Sequence, residues 1–372
     1  MILGFDAKRL FHNTSGLGNY SRTLLRDLST HHPENAYHLF SPSISHHPWS
    51  RPFLISPFQT HYPARKTWWW RSFSLPSSFP AELQLYHGLS HELPFTIDRS
   101  NVKKVVTIHD LIYRHFPQDF PLPDRITYER KVQYALKNAD QIVAISEHTR
   151  QDILTHFPVS PERIRVIHQS VLPIFRNTPS TEAVAAMRSQ YQLPEIYLLY
   201  VGALSHRKNA LLVLQALHVN RKLDIPLVIV GKGKQYERKC REYANTHGLQ
   251  GQVIWLGHIA PDQVPLIMKG ASAVIYPSLY EGFGLPVLES IVLDVPVITT
   301  RESSLPEAGG ELAHYVSGRD PGELAEATLY ALNAKPDPDY DEQKRKHLAR
   351  FDPAGVADQW NHLYRQVIDD NY

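Results

Sequence analysis

The sequence predicts two doubly wound α/β domains in tandem, each a parallel sheet with helices on both faces. Three observations carry that reading. Short β-branched apolar runs alternate with longer amphipathic stretches, the pattern of strand and crossover helix. The alternation lapses near residue 175 and restarts near residue 196. A chain of 372 residues is also long enough to fill two domains of ordinary size.

Taken in order, residues 2–6 form an apolar strand that gives way to a Gly/Ser/Asn loop and an amphipathic stretch at 20–28. Strands are expected at 37–40, 104–108, 141–145 and 165–168, with helices at 124–138 and 147–156. In the second half, strands are expected at 196–201, 227–230, 253–256, 273–276 and 295–299. Helices are expected there at 210–220, 235–247, 286–293 and 322–332. The stretch 173–181 holds two prolines and no periodicity, and marks the boundary. The expected organisation is an N-terminal domain over 1–175, a C-terminal domain over 176–353, and a last helix within 354–372 that packs back on the N-terminal domain. Tandem domains of this kind place a cleft between them, lined by loops at the carboxyl ends of the strands.

Composition narrows the function classes. Hydrophobic residues make up 42% and charged residues 20%, which fits a packed globular chain and not a disordered one. One cysteine, Cys240, leaves no internal disulfide and no multi-cysteine metal site. No run of 18 apolar residues exists, and the opening Met1-Ile2-Leu3-Gly4 lacks the charged start of a signal peptide, so a cytoplasmic location is expected. The net charge of +2 conceals an asymmetry, since residues 1–178 hold 20 Lys and Arg against 14 Asp and Glu. A basic first half suits an anionic partner: a phosphorylated substrate, a lipid surface or a nucleic acid.

Four segments carry chemistry. Ser15-Gly16-Leu17-Gly18-Asn19-Tyr20 comes after the first strand, where Gly16 and Gly18 allow close backbone approach and a helix start favours an anion. It lacks the third glycine of a dinucleotide fingerprint, and a flexible turn explains it equally. Thr107-Ile108-His109-Asp110 ends a buried strand, so His109 stands at the tip, where it can hydrogen-bond or exchange a proton, with Asp110 placed to orient it. A structural polar residue is the plainer alternative. In Gly202–Asn209, Arg207 and Lys208 sit at a helix start, where the dipole disfavours cations unless an anion such as a diphosphate lies between. The strongest segment is Tyr276–Glu289. There Glu281 precedes the loop Gly282-Phe283-Gly284-Leu285, Pro286 suits a first helical turn, and Glu289 comes one turn later. Two carboxylates can then hold different parts of one extended ligand, with amides of 282–285 available to a phosphate between them.

The Glu281…Glu289 spacing around Gly282-Phe283-Gly284-Leu285-Pro286 resembles the retaining glycosyltransferases of the GT-B fold, family four. The resemblance extends to Asp6-Ala7-Lys8-Arg9 with Gly16–Tyr20, to 105–113 (VVTIHDLIY), 144–150 (AISEHTR), 200–209 (YVGALSHRKN) and 296–308 (PVITTRESSLPEA). These blocks look most like bacterial mannosyltransferases that build surface polysaccharides, including lipopolysaccharide. Two departures stand out: Ala203 where relatives often carry a basic residue, and Gly309-Gly310 where they often read Gly-Asp.

The resemblance implies a GT-B fold, with two Rossmann-like domains facing a central cleft, and gives each residue a role. His109 would contact the donor sugar at the reaction centre, and Arg207 and Lys208 would neutralise the diphosphate. Glu281 would hold sugar hydroxyls, Glu289 the ribose, and Gly16 and Gly18 would let the first domain close on the phosphates. The implied activity is a retaining hexosyl transfer, mannose from GDP-mannose, to a glycan or polyprenyl-linked acceptor. UDP-glucose or UDP-N-acetylglucosamine is the alternative donor, and a sugar- or nucleic-acid-binding protein the non-enzyme alternative. Glu281 and Glu289 have no part in binding nucleic acid, so none is expected as a partner. No cofactor and no metal are expected. The acidic Asp337-Pro338-Asp339 reads as a solvated loop, and the pairs His31-His32 and His46-His47 as loop residues. Arg65-Lys66-Thr67-Trp68-Trp69-Trp70-Arg71 fits either peripheral contact with the cytoplasmic membrane face or packing in the first domain.

Overall fold

The computed structural model describes residues 1–64, 69–335 and 337–369. The chain divides into two compact units, one of residues 1–170 with the segment that begins at Arg350, the other Val171–Ala349.

The N-terminal unit opens with β1 (Ile2–Asp6), α1 (Lys8–His12), α2 (Gly16–His31), β2 (Ala36–Phe40), β3 (Phe58–His61) and β4 (Leu85–Gly88). It continues with β5 (Lys103–Ile108), α3 (Ile112–His115), α4 (Leu122–Asn138), β6 (Gln141–Ala144), α5 (Glu147–His156) and β7 (Ile164–Val166). The seven strands pair in parallel in the order β3-β2-β1-β4-β5-β6-β7. Helices on both faces bury the central strands, which explains why β1 and β5 read as unbroken apolar runs.

The C-terminal unit runs α6 (Thr181–Tyr191), β8 (Leu198–Val201), α7 (Ala210–Val219), β9 (Leu227–Val230), α8 (Gln235–Thr246) and β10 (Val253–Gly257). Next come α9 (Val264–Lys269), β11 (Ala273–Tyr276), α10 (Leu285–Val292), β12 (Val297–Thr300), α11 (Leu305–Gly309), β13 (His314–Val316), α12 (Pro321–Asn333) and α13 (Tyr340–Leu348). Six parallel strands lie in the order β10-β9-β8-β11-β12-β13. Strand order reverses between β1 and β4 in one sheet and between β8 and β11 in the other. At such a switch point the loops leave in opposite directions and open a crevice at the carboxyl ends of the strands.

Three strands escape the sequence pattern for identifiable reasons. β3, Phe-Gln-Thr-His, is a half-exposed edge strand with three polar residues. β4, Leu-Tyr-His-Gly, is fully buried but includes a histidine and a glycine. β13 is three residues long at the opposite edge of the second sheet. His31, expected in a loop, ends α2 instead. The Gly309-Gly310 pair has a local explanation, since the Gly310 carbonyl accepts from the Tyr315 hydroxyl at 2.6 Å and the His347 ring packs beside it.

The last helix, α14 (Pro353–Asp369), belongs to the N-terminal unit and packs on α2. Trp360 and Tyr364 are fully buried there, with the Trp360 ring centroid 4.8 Å from that of His87. The Tyr364 hydroxyl lies 2.8 Å from His87 Nδ1, and the Asn35 amide donates to Asn361 Oδ1 at 2.9 Å. The basic-aromatic stretch divides. Arg65 to Trp68 lie outside the described residues, Trp69 is exposed, and Trp70 is buried. Arg71 is buried between Asp6 and Glu92, and Lys131 reaches Glu92 at 2.6 Å. A guanidinium held by two carboxylates in the interior does not meet lipid headgroups, which corrects the membrane reading at that residue. Trp360→Ala is expected to cost the N-terminal unit about 3–5 kcal/mol in urea unfolding. Arg365→Ala, on the solvent side of the same helix, should stay within about 0.5 kcal/mol.

Candidate functional site

The C-terminal switch point gathers the expected donor-side residues. β8 ends at Val201 and runs into the 202–209 loop, while β11 ends at Tyr276 and runs into the loop that carries Glu281. These are the two strands between which order reverses, so residues far apart in sequence meet at one crevice. Arg207 Nη1 lies 2.7 Å and Lys208 Nζ 2.9 Å from Glu281 Oε1. The same oxygen accepts from the Ser278 hydroxyl at 2.6 Å and the Tyr276 hydroxyl at 2.9 Å. Lys208 also donates to the Tyr276 hydroxyl, and Arg207 to the Tyr280 carbonyl at 2.5 Å. The Glu281 backbone is fixed as well, its N–H donating to Ser303 Oγ at 2.8 Å and its carbonyl accepting from Ser304 Oγ at 2.9 Å.

The two cations at the start of α7 therefore face an anion, and that anion is a carboxylate of the same chain. Although burial alone would raise the Glu281 carboxyl, Lys208 and Arg207 hold it down at about 2. Burial lowers Lys208, and Glu281 opposes that shift. Tyr276 and Ser278 have no role that the sequence discloses; their one signal there is nearness to Glu281.

Gly282, Phe283, Gly284 and Leu285 lead into α10. Gly284 is its N-cap at φ 103°, and no side chain caps the helix. A Cβ at Gly284 would come within 2.7 Å of Leu305, so both backbone conformation and space demand glycine. Phe283 is buried. Pro286 occupies the first turn, as its fixed φ favours. Glu289, on the buried side of α10, is pushed up to about 8 by desolvation, which Lys208 only partly offsets. Two basic side chains thus stand beside one carboxyl held down at about 2 and another pushed up to about 8.

The other expected residues lie in the N-terminal unit. His109 comes directly after β5 and is buried. Its Nε2 is 2.8 Å from the Leu89 carbonyl, which can only accept, so Nε2 carries the proton and Nδ1 is the acceptor. Burial first, and the His91 charge second, lower His109 to about 3, so the ring is neutral at physiological pH. Tyr20 packs edge-on at 4.5 Å, and Thr149 of α5 donates to the His109 carbonyl at 3.0 Å. Asp110 accepts from the Ile112 amide at 3.1 Å and starts α3, so the ring orientation of His109 comes from Leu89.

Gly16 and Gly18 begin α2. A Cβ at Gly18 would stand 1.9 Å from the Asn13 carbonyl oxygen, a close approach internal to the loop. A Cβ at Gly16 would meet nothing within 4 Å. The loop is pinned by Arg22, which donates to the Leu10 and Asn13 carbonyls at 2.8 and 2.9 Å and to Asn19 Oδ1 at 2.7 Å. Sequence reasoning misses Arg22, because a cation inside an amphipathic helix reads as solvated.

Protonation gives opposite pH slopes to the two carboxyls. Glu289 is neutral in the folded unit up to about pH 8, whereas an unfolded glutamate ionises near 4.3. Its contribution is therefore fully present below that pH and lost as pH rises towards 8, at no more than about 1.4 kcal/mol per unit. Glu281, held near 2, contributes stability above the unfolded value that is lost as pH falls towards 2. Glu289→Gln should flatten the decline between about pH 4.5 and 8 in a urea-unfolding series, and an unchanged slope would refute the assignment.

Comparison with known proteins agrees with the fold. Residues 15–171 match the family described as Glycosyltransferase Family 4, and residues 186–348 match Glycosyl transferases group 1. O-antigen chain mannosyltransferase B of Escherichia coli is 28% identical over 253 residues, covering 67% of this chain and 65% of that protein. The serotype-specific mannosyltransferase WbdA of the same species is 28% identical over 246 residues, or 61% of this chain and 29% of that protein. The chain thus matches less than two thirds of the length of either relative. The crystal structure of Anabaena Alr3699/HepE in complex with UDP and glucose superposes with a TM-score of 0.74 at 17% identity, covering 98% of this chain and 99% of that one. With its two halves matching these two families in turn and its sheets superposing on a solved relative over nearly their whole length, the chain belongs to the GT-B glycosyltransferases.

Proposed function

We propose that this protein transfers a hexose from a nucleotide-sugar to a glycan or lipid-linked acceptor, with mannose from GDP-mannose as donor and surface polysaccharide as product. The observation that carries this reading is the convergence of Arg207 and Lys208 on Glu281 at a switch-point crevice, with Glu289 in the helix that follows. Such a group suits a diphosphate linked to hydroxyl-rich sugars: cations for the phosphates, carboxyls for the hydroxyls. The mannosyl assignment draws on the names of the two Escherichia coli relatives.

In the proposed step, the bond between the sugar anomeric carbon and the diphosphate oxygen breaks, and the acceptor hydroxyl oxygen bonds to that carbon on the same face. The acceptor proton passes to the departing diphosphate oxygen, and the anomeric configuration is retained through an oxocarbenium-like state. Arg207 and Lys208 stabilise the developing charge, a role that fixed cations fill without a metal ion. Neutral His109 of the N-terminal unit, its Nε2 proton committed to Leu89, presents Nδ1 as an acceptor of the kind a sugar hydroxyl would use. In this reading Glu289 meets the ribose. Among the described residues no helix is long and apolar enough to cross a membrane. A cytoplasmic enzyme peripheral to the membrane would meet a lipid-linked acceptor through exposed side chains such as Trp69 and Phe73.

Calorimetric titration with GDP, UDP and their sugar conjugates tests the donor. Selective binding of GDP and GDP-mannose is the expected result, selective UDP binding would replace the donor, and no nucleotide binding would overturn the reading. Lys208→Ala should weaken GDP binding at least about tenfold while changing guanosine binding little. For Glu281 the informative variant is Gln, which keeps the shape, since alanine leaves two half-buried cations and two hydroxyls without their shared acceptor. Glu281→Gln should lower kcat by about 100-fold or more with circular dichroism unchanged.

A further inference from the structure

A second cluster lies in the N-terminal unit, on α5. His148, Asp152 and His156 recur every four residues, so their side chains rise from one helix face a turn apart. His115, the last residue of α3, meets that face: its Nε2 is 3.0 Å from Asp152 Oδ2. His148 Nε2 lies 3.7 Å from the same oxygen. The His115 and His156 rings are 5.5 Å apart at 70°. One ligating atom each from His115, Asp152 and His156 fall within 4.8 Å of one another.

We propose that this face binds one divalent transition-metal ion, zinc by preference, through His115, Asp152 and His156, with water in the fourth position. Two kinds of chemistry meet here. Imidazole nitrogens with one carboxylate oxygen form a ligand set that zinc takes readily in tetrahedral geometry. At bond lengths of about 2.0–2.1 Å the ligand atoms of a tetrahedron stand about 3.4 Å apart, close to the 3.0 Å between His115 Nε2 and Asp152 Oδ2. Asp152 is buried while His115 is exposed, so the carboxylate anchors the ion from inside and an entry path remains from solvent. The ion fastens the 110–115 turn to α5, the helix whose Thr149 already holds the His109 carbonyl. Its role is to position that turn, it takes no part in the transfer step, and it does not depend on the transferase reading.

The test uses the full-length protein after chelator treatment, titrated with zinc by calorimetry and with cobalt by visible absorption. Expected are one ion per chain at micromolar affinity or tighter, the intense visible bands of tetrahedral cobalt, and a zinc-dependent rise in unfolding temperature. His115→Ala/His156→Ala should weaken zinc binding at least about 100-fold and abolish the cobalt bands. His46→Gln/His47→Gln, at an exposed pair elsewhere, should bind as the parent does. His115→Gln alone, at an exposed position, gives the same answer if the double variant fails to fold. Absence of zinc binding at about 0.1 mM, or binding unchanged in the His115 variants, overturns the proposal.

Discussion

One carboxylate oxygen, Oε1 of Glu281, joins two loops that are separate in sequence and adjacent at the C-terminal switch point. Arg207 and Lys208 come from the loop after β8, Tyr276 from the end of β11 and Ser278 from the loop after it. Without that shared acceptor, two half-buried cations would repel each other at close range, and the two loops would have no reason to keep their present spacing. The same contact sets the charge state around it. Because Glu281 ionises fully, Lys208 is engaged, and Glu289 is left too weakly supported to ionise at neutral pH.

The N-terminal unit uses the opposite device. His109 has no carboxylate partner for its proton; a backbone carbonyl fixes its tautomer, and burial keeps it uncharged. His87, buried beneath α14, is likewise neutral, lowered to about 3. One unit thus offers fixed charge and the other a neutral acceptor at the tip of a strand.

The sequence disclosed the fold to the degree that burial is two-sided. Strands buried on both faces are continuous apolar runs, so β1, β5, β6, β8, β9, β11 and β12 were legible, while β3, β4 and β13 were hidden by polar edges, a histidine or brevity. Arg207, Lys208, Glu281 and Glu289 stood out because cations at a helix start and carboxylates around a glycine loop are hard to explain as scaffold. Their mutual pairing was invisible, since it depends on which strands become neighbours. The metal-ligand face of α5 was missed for the same reason: a His-x3-Asp-x3-His spacing is common on solvated helices, and only the arrival of His115 from α3 gives it a third direction. At Arg71 the sequence left two readings open, because its partners Asp6 and Glu92 lie 65 and 21 residues away.

The return of α14 to the N-terminal unit has a consequence for biosynthesis. Tyr37, His87 and Phe5 lie under Trp360 and Tyr364, which the ribosome delivers only after the whole of Val171–Ala349. At roughly 5–20 residues per second, that interval lasts about 10–40 s. For that time an aromatic face of the first sheet has no cover, while the second unit already has all its strands. A segment translated after the C-terminal unit therefore completes the unit translated before it, and the nascent chain is most open to misassociation or chaperone capture while the C-terminal unit is emerging.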